Sequence, residues 1–337
     1  MKEKKKSFSI SLKLTLYAGL LIAIILAITN SFSYFKSKNS TFELLRHNQM
    51  KVAEDVATAF NDYGNNRRKA VEVLAKEIQK VLNKGNDEEV FGLLESFKEA
   101  FHFDLIYLGF EDTGKVFLSN WKVLDSSSFD LKNATWYKDA KKATKPDAYG
   151  PYQSVNGGHV LTYAMPIYQG SKLIGVVGAD YTLEQYSKDV LVYGKSANTY
   201  AAVYSPDGEI MFHEYLDRIL TKNPLSINIT NVINSNPDFY LNPEEKNSLF
   251  EASDDKGNSY EVLCNKTLNP KFRICAVTES KVYTSSIREI LFTQALAGII
   301  ATVVALILIR ILISRGLSPL TTIQSGLNSF FDFINHK

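Results

Sequence analysis

Two long apolar runs frame a chain whose middle alternates between helical and strand patterns. From Leu14 to Phe35 no residue is charged, and none is from Ile290 to Ile309. Each run is about 20 residues, enough to cross roughly 30 Å of hydrocarbon as a helix. A buried core helix rarely stays uncharged for that length. Between the runs, Leu45, Val52, Val56, Ala59, Tyr63 and Ala70 recur at helical spacings, and Val71, Leu74, Ile78 and Val81 extend the stripe. This predicts a long amphipathic helix over residues 36–86, loosened at Tyr63–Asn66, where "YGNN" is a poor helix former. Its apolar face is expected to pack on its own domain, on a second copy, or on both.

Strand patterns then dominate. "FDLIYLGFEDTGKVFLSN" reads as strand, turn, strand with Thr113-Gly114 at the turn, and "NTYAAVYSPDGEIMFH" repeats the idea around Asp207-Gly208. Aligning Gly114 with Gly208 sets Tyr107 against Ala201, Phe110 against Tyr204 and Val116 against Ile210, an offset of 94 residues (208 − 114). Each half closes with a hairpin, "HVLTYAMPIYQGSKLIGVVGAD" in the first and "VLCNKTLNPKFRICAV" in the second. Two similar α+β modules in tandem is the economical reading; two unrelated sheets is the alternative.

Charge sets the orientation of this layout. Lys2, Lys4, Lys5 and Lys6 precede the first apolar run, and Arg310 and Arg315 close the second. Basic residues favour the cytoplasmic side, so residues 1–13 and 313–337 are expected inside the cell. Residues 14–35 and 290–312 are then the spans, and residues 36–289 lie outside the inner membrane. The first span lacks a small-x-small cleavage site and reads as an uncleaved signal anchor. The only cysteines, Cys264 and Cys275, flank a turn expected at Asn269-Pro270. A hairpin places them opposite each other, close enough for a disulfide that an oxidising compartment would preserve; two separate buried thiols is the alternative.

Composition excludes more than it assigns. A net charge of +2 gives no case for nucleic acid. There is no Walker-type phosphate loop, His-Glu-x-x-His pair, G-x-S-x-G elbow or zinc-spaced cysteine pair. The five histidines are scattered. No enzyme, cofactor or metal site is expected. What remains is a recognition surface in "DLKNATWYKDA", "AYGPYQSVNGG" and "GVVGAD". Trp136, Tyr137, Tyr149 and Tyr152 offer flat apolar faces with polar tips. Asp180 ends an apolar strand, where an unpaired carboxylate is costly. A ligand ammonium would satisfy it, with cation–π attraction from the aromatics. The competing reading makes Trp136 core filler and Asp180 the cap of the next segment.

On these residues the region Lys36–Glu289 resembles a double Cache (dCache) sensor domain, two PAS-like modules outside the membrane. Span, outer domain and span is the layout of a bacterial chemoreceptor, a methyl-accepting chemotaxis protein. The final "LSPLTTIQSGLNSFFDFINHK" resembles the HAMP-type start of such receptors from ε-proteobacteria. The resemblance implies a long helix 36–86, a distal module over about 87–190 and a proximal one over about 191–289, both with antiparallel sheets. It implies a homodimer that senses a small molecule and contacts a chemotaxis kinase and adaptor. In amino-acid-binding relatives a basic residue stands two before a tryptophan, a tyrosine follows about sixteen later, and an aspartate ends a late strand. Trp136, Tyr152 and Asp180 match; the basic position is Ala134. Lys132 lies two further back and, in an extended segment, projects to the same side. The implied ligand residues are Lys132, Trp136, Tyr137, Tyr152, Ser154 and Asp180. Alanine offers no fork for a carboxylate, so an amino acid or other carboxylate and an amine stand as alternatives, with a docking protein as a third. A histidine kinase or cyclase could carry the same outer domain. Signalling would pass through Lys281–Glu289 into the second span and a cytoplasmic helix beginning at Pro319, with Leu320, Ile323, Leu327 and Phe330 as its stripe. The chain stops at Lys337, before the helical hairpin of such receptors, which implies a fragment or a truncated, non-signalling form.

Overall fold

The computed structural model describes residues 10–154, 157–196, 198–241, 248–265 and 271–334. The basic start at Lys2–Lys6 and the Asn269-Pro270 turn fall outside these residues. The chain divides into a unit of residues 46–280 and a flanking unit of residues 1–45 and 281–337.

Helix α1 (Ile10–Leu82) is one continuous helix of 73 residues. Within the larger unit it buries Val52, Val56, Phe60, Val71, Leu74 and Ile78, four or three apart except across one gap, against both sheets of that unit. The helix is not loosened at Tyr63–Asn66 as the sequence suggested. Gly64 borders a cavity there: an added Cβ would lie 3.2 Å from Arg68 Nη1, the tip of a flexible side chain, and 3.5 Å from the Tyr186 hydroxyl. Packing outweighs glycine's helix penalty of about 1 kcal/mol.

Helix α2 (Asp87–Phe101) follows, beyond the predicted long helix. Asn86 caps it by accepting from Glu89 N, and Asp87, Glu88 and Glu89 fill the first turn, where the helix dipole favours acids. The first sheet follows: β1 (Leu105–Phe110), β2 (Val116–Leu118), β3 (Val123–Leu124), then helix α3 (Thr135–Ala140), β4 (Asp147–Gln153), β5 (His159–Gln169), β6 (Lys172–Thr182) and helix α4 (Leu183–Leu191). The second comprises β7 (Thr199–Tyr204), β8 (Ile210–Phe212), α5 (Pro224–Ser235), α6 (Asp238–Leu241), β9 (Phe250–Ser253), β10 (Ser259–Asn265) and β11 (Arg273–Glu279). Strand orders are β3-β2-β1-β6-β5-β4 and β8-β7-β11-β10-β9. All recorded pairings are antiparallel. In each sheet the opening hairpin pairs with the last strand, so the two share one wiring.

The strand limits repeat at the expected offset, since 199 − 105 and 210 − 116 are both 94. The facing residues of the first strand do not. Ile106 and Leu108 join the core against α1, as do Ala201 and Val203, an offset of 95 (201 − 106). The alignment of Tyr107 with Ala201 therefore sets side chains from opposite faces against each other, the usual consequence of a one-residue slip in a period-two structure. An irregularity between Val203 and Tyr204 in the β7–β8 pairing absorbs the extra residue.

Cys264 and Cys275 are register partners on β10 and β11 and are joined by a disulfide. Beneath them, the fully buried Gln49 of α1 donates through Nε2 to the backbone oxygens of Glu261 (2.6 Å) and Ala276 (2.7 Å). Gln49→Leu removes this donor from two strand carbonyls and is expected to cost about 1–3 kcal/mol, read as a lower unfolding temperature; an unchanged temperature would show the staple to be inert.

In the flanking unit, α1 and helix α7 (Ser280–Ile334) are both long and apolar enough to cross a membrane. They run antiparallel: Gln294 Nε2 donates to Ser33 Oγ at 3.1 Å, and Gly298 lies against Asn30. Helix α7 continues through Pro319, so no new helix begins there. Proline's fixed φ suits a helix, and the cost is one missing backbone donor with its local steric strain.

Candidate functional site

Strand β6 lies inside the first sheet, between β1 and β5. Its register sets Asp180 between Leu105 and Thr162, and Asp180 is only 3% exposed. Three hydroxyls serve the carboxylate. Thr162, directly opposite, and Tyr107 (2.8 Å) donate to Oδ1, and Ser154 (3.2 Å) donates to Oδ2. Burial nevertheless pushes the Asp180 carboxyl from 3.8 up to about 6, against those three donors and helped by the charge of Asp104. Three neutral donors soften a buried charge without neutralising it. Asp180 does not cap the next helix; Thr182 does, by accepting from Gln185 N.

Tyr107 reaches Asp180 because it crosses a glycine. Gly178 is its register partner, and a Cβ there would fall 2.3 Å from Tyr107 Cε2. Gly178→Ala is expected to displace the ring and break its hydrogen bond, costing about 1–3 kcal/mol. Tyr107→Phe is the control that removes the hydroxyl alone. If thermal unfolding ranks Gly178→Ala as the milder change, the ring is not held as described.

Above this face lies a cavity of about 210 Å³. Val116 and Leu118 of β2, Val160 of β5, Phe129, Ala134 and Trp136 give it apolar walls, and Tyr107, Tyr152, Ser154, Thr162 and Asp180 gather on the polar side. The Trp136 and Tyr107 ring centres are 4.8 Å apart. The Tyr152 hydroxyl is buried and close enough to Thr162 to be influenced by it, yet makes no well-formed hydrogen bond; burial pushes its pKa well above the ordinary phenol value. Asp180 is the single ionised lining residue, and no Lys, Arg or His lines the cavity among the described residues.

Of the six residues singled out from sequence, Trp136, Tyr152, Ser154 and Asp180 line this cavity and Lys132 and Tyr137 do not. Tyr137 is fully buried and donates to Glu111 Oε2 at 2.6 Å. Lys132 is exposed. The segment is not extended: Leu131–Asn133 forms a 3-10 turn capped by Asp130, and α3 follows. The alternation that aligned Lys132 with Trp136 therefore does not apply. Leu131 drops into the hollow over Gly109, where a Cβ would be 2.7 Å from Leu131 Cδ1, and this seats α3 with Trp136, Tyr137 and Ala140 inward. Tyr107 and Thr162 were missed. Thr162, the one aliphatic hydroxyl in the β5 run Val160–Ile167, was the available signal. Among the described residues no cluster of His, Cys, Asp or Glu could hold a metal.

The Cache domain family matches residues 37–286. The chain belongs to that family. This Cache protein is 26% identical over 216 residues to the methyl-accepting chemotaxis protein PctB of Pseudomonas aeruginosa, covering 64% of this chain and 34% of that one; it thus spans about a third of that relative. Its fold is similar to the ligand-binding domain of the Campylobacter jejuni chemoreceptor Tlp3 in complex with L-norvaline, with a TM-score of 0.59 and 20% identity over 72% of this chain and 94% of that one. It is similar also to the ligand-binding domain of PctB in complex with L-Arg, with a TM-score of 0.56 and 24% identity over 72% and 98%.

The two modules of the Cache domain differ at the positions around Asp180. Matched by face, Tyr107 corresponds to Ala202. Asp180, opposite Leu105, corresponds to Val277, opposite Tyr200. Thr162, opposite Asp180, corresponds to Val262, opposite Val277. Ala202, Val262 and Val277 are fully buried in an apolar cluster with Leu225, Ile229 and Ile233 of α5. The same sheet positions thus carry a carboxylate with two hydroxyls in one module and three hydrocarbons in the other.

Proposed function

We propose that this chain is the sensing part of a bacterial chemoreceptor, and that its first module takes a small molecule through a protonated amine. Asp180 receives the ammonium, Tyr107 and Thr162 hold the carboxylate in place, and Trp136 and Tyr152 enclose the ligand body. The observation that carries this reading is a buried carboxylate in a largely apolar cavity whose described lining has no basic residue. An ammonium satisfies that charge, and aromatic faces strengthen the attraction where water is excluded. The two apolar helices are assigned as spans, with residues 36–289 outside the inner membrane. Ligand closure in the first module is passed through the second to α7 and, in a dimer, to a chemotaxis kinase.

An α-amino acid is the second reading, because the similar receptor domains hold L-norvaline and L-Arg. Its carboxylate would then be met by neutral donors, since Ala134 offers none and Lys132 lies outside the lining. The test is titration of the full chain in lipid nanodiscs with matched pairs: n-butylamine against L-norvaline, and agmatine against L-arginine. Binding of the decarboxylated member is expected to equal or exceed that of its amino acid. Stronger amino-acid binding selects the second reading. No response to any of the four, nor to a wider amine panel, overturns both.

A further inference from the structure

A larger cavity, about 480 Å³, opens in the same unit beside α1, where the helix passes from one sheet to the other. It shares no lining residue with the first. Strand β5 separates them by its alternation: Val160 and Thr162 line one, Leu161 and Tyr163 the other. The charge is reversed. Arg68 and Lys271 line the second cavity, and its only acid among the described residues is Asp147, whose side chain is 56% exposed.

Arg68 is loosely engaged. Nη2 lies 3.4 Å from Asp147 Oδ1 and Nη1 lies 3.4 Å from Asn65 Oδ1, both at the outer limit of a hydrogen bond. An exposed ion pair of that length holds little. A guanidinium fork is matched best by a carboxylate taken bidentately. Around it stand flat apolar faces, Phe60, Tyr163 and Phe272. Gly64 keeps the notch between Arg68 and the Tyr186 hydroxyl open, since any side chain would begin 3.2 Å from one and 3.5 Å from the other.

We propose that this cavity is a second ligand site, for a small carboxylate with a flat apolar body. The carboxylate sits on Arg68, and the body lies against Phe60 and Phe272. The site is independent of the amine reading: it uses other residues, the opposite charge and the other face of β5. Because it touches α1, the first sheet and the segment entering β11, its occupant bridges both modules and can modulate what the first reports.

The probe is benzoate, with benzamide and benzylamine as neutral and cationic controls, titrated onto the full chain in nanodiscs. Benzoate is expected to raise the unfolding temperature and the controls are not. Arg68→Gln should weaken benzoate at least tenfold, while Asp180→Asn leaves it unchanged. Gly64→Ala, which a helix favours, should keep the fold and weaken benzoate severalfold. The proposal fails if wild type does not respond to benzoate, if benzamide does as well, or if affinity survives both Arg68→Gln and Gly64→Ala. It fails equally if Asp180→Asn is the substitution that abolishes binding, since benzoate would then occupy the first cavity.

Discussion

Asp180→Asn is expected to abolish amine binding while raising the stability of the empty protein at pH 7.5. Breaking a buried charge pair costs about 3–5 kcal/mol, at least a hundredfold in affinity. The gain in stability follows from burial. The folded-state pKa of Asp180 is raised from 3.8 to about 6. An acid whose pKa rises on folding is more stable protonated: its contribution is fully present below the unfolded value of 3.8 and is lost as pH climbs through about 6. The difference amounts to about 3 kcal/mol. Asparagine removes that charge but recovers only part of it, because its amide accepts fewer hydrogen bonds than a carboxylate. Thermal unfolding of the full chain in nanodiscs between pH 5 and 7.5 should show the empty wild type losing stability with rising pH and Asp180→Asn losing less. Parallel profiles would sink the argument. Ammonium binding works in the opposite sense by favouring the ionised form, so wild-type affinity for an amine should fall by about tenfold per pH unit below about 6.

Phe60→Ala should produce the largest loss of stability, about 3–5 kcal/mol. The ring is 6% exposed and lies 5.3 Å from Tyr186 on α4, 5.5 Å from Phe212 on β8 and 5.1 Å from Phe272 before β11. It therefore joins α1 to both modules at a single point, and the Tyr186 hydroxyl also donates to the Phe60 carbonyl at 3.0 Å. Truncation should cost cooperativity as well as stability. Calorimetry of the wild type is expected to give one transition for the larger unit and that of Phe60→Ala two, the second module melting first. One transition at an unchanged temperature would mean that the modules are coupled elsewhere.

What the sequence revealed, and what it hid, divides along the range of the interaction. The stripe from Val52 to Val81 and the apolar runs of β1, β5 and β6 with the turns between them are local signals, and they located α1 and the central strands. Helix α2 was not predicted, although its signals are local: the Asn86 cap, an acidic first turn, and Val90, Phe91 and Leu94 at helical spacing. Helix α3 was read as extended because its helical state depends on Leu131 finding the hollow over Gly109, a contact that spacing along the chain does not encode. The continuity of α1 through Gly64 is likewise decided by the burial of Phe60 and Val71 on either side, with Phe60 against Tyr186 and Phe212, more than a hundred residues away. At the site, Trp136, Tyr152 and Asp180 were marked by type and resemblance. Tyr107 and Thr162 were not, because their part in it comes from register across three strands and from a glycine that lets one ring pass.

Matched by face, the two sheets differ in the chemistry of a few positions rather than in their frame. The wiring and the packing of α1 are common to both modules, whereas Tyr107, Thr162 and Asp180 in one are Ala202, Val262 and Val277 in the other. The polar set proposed for recognition is thus replaced by hydrocarbon on a similar frame in the second module. On the proposed reading, a lineage could silence, restore or redirect sensing through a handful of side-chain replacements without rebuilding either sheet, and an engineer could do the same.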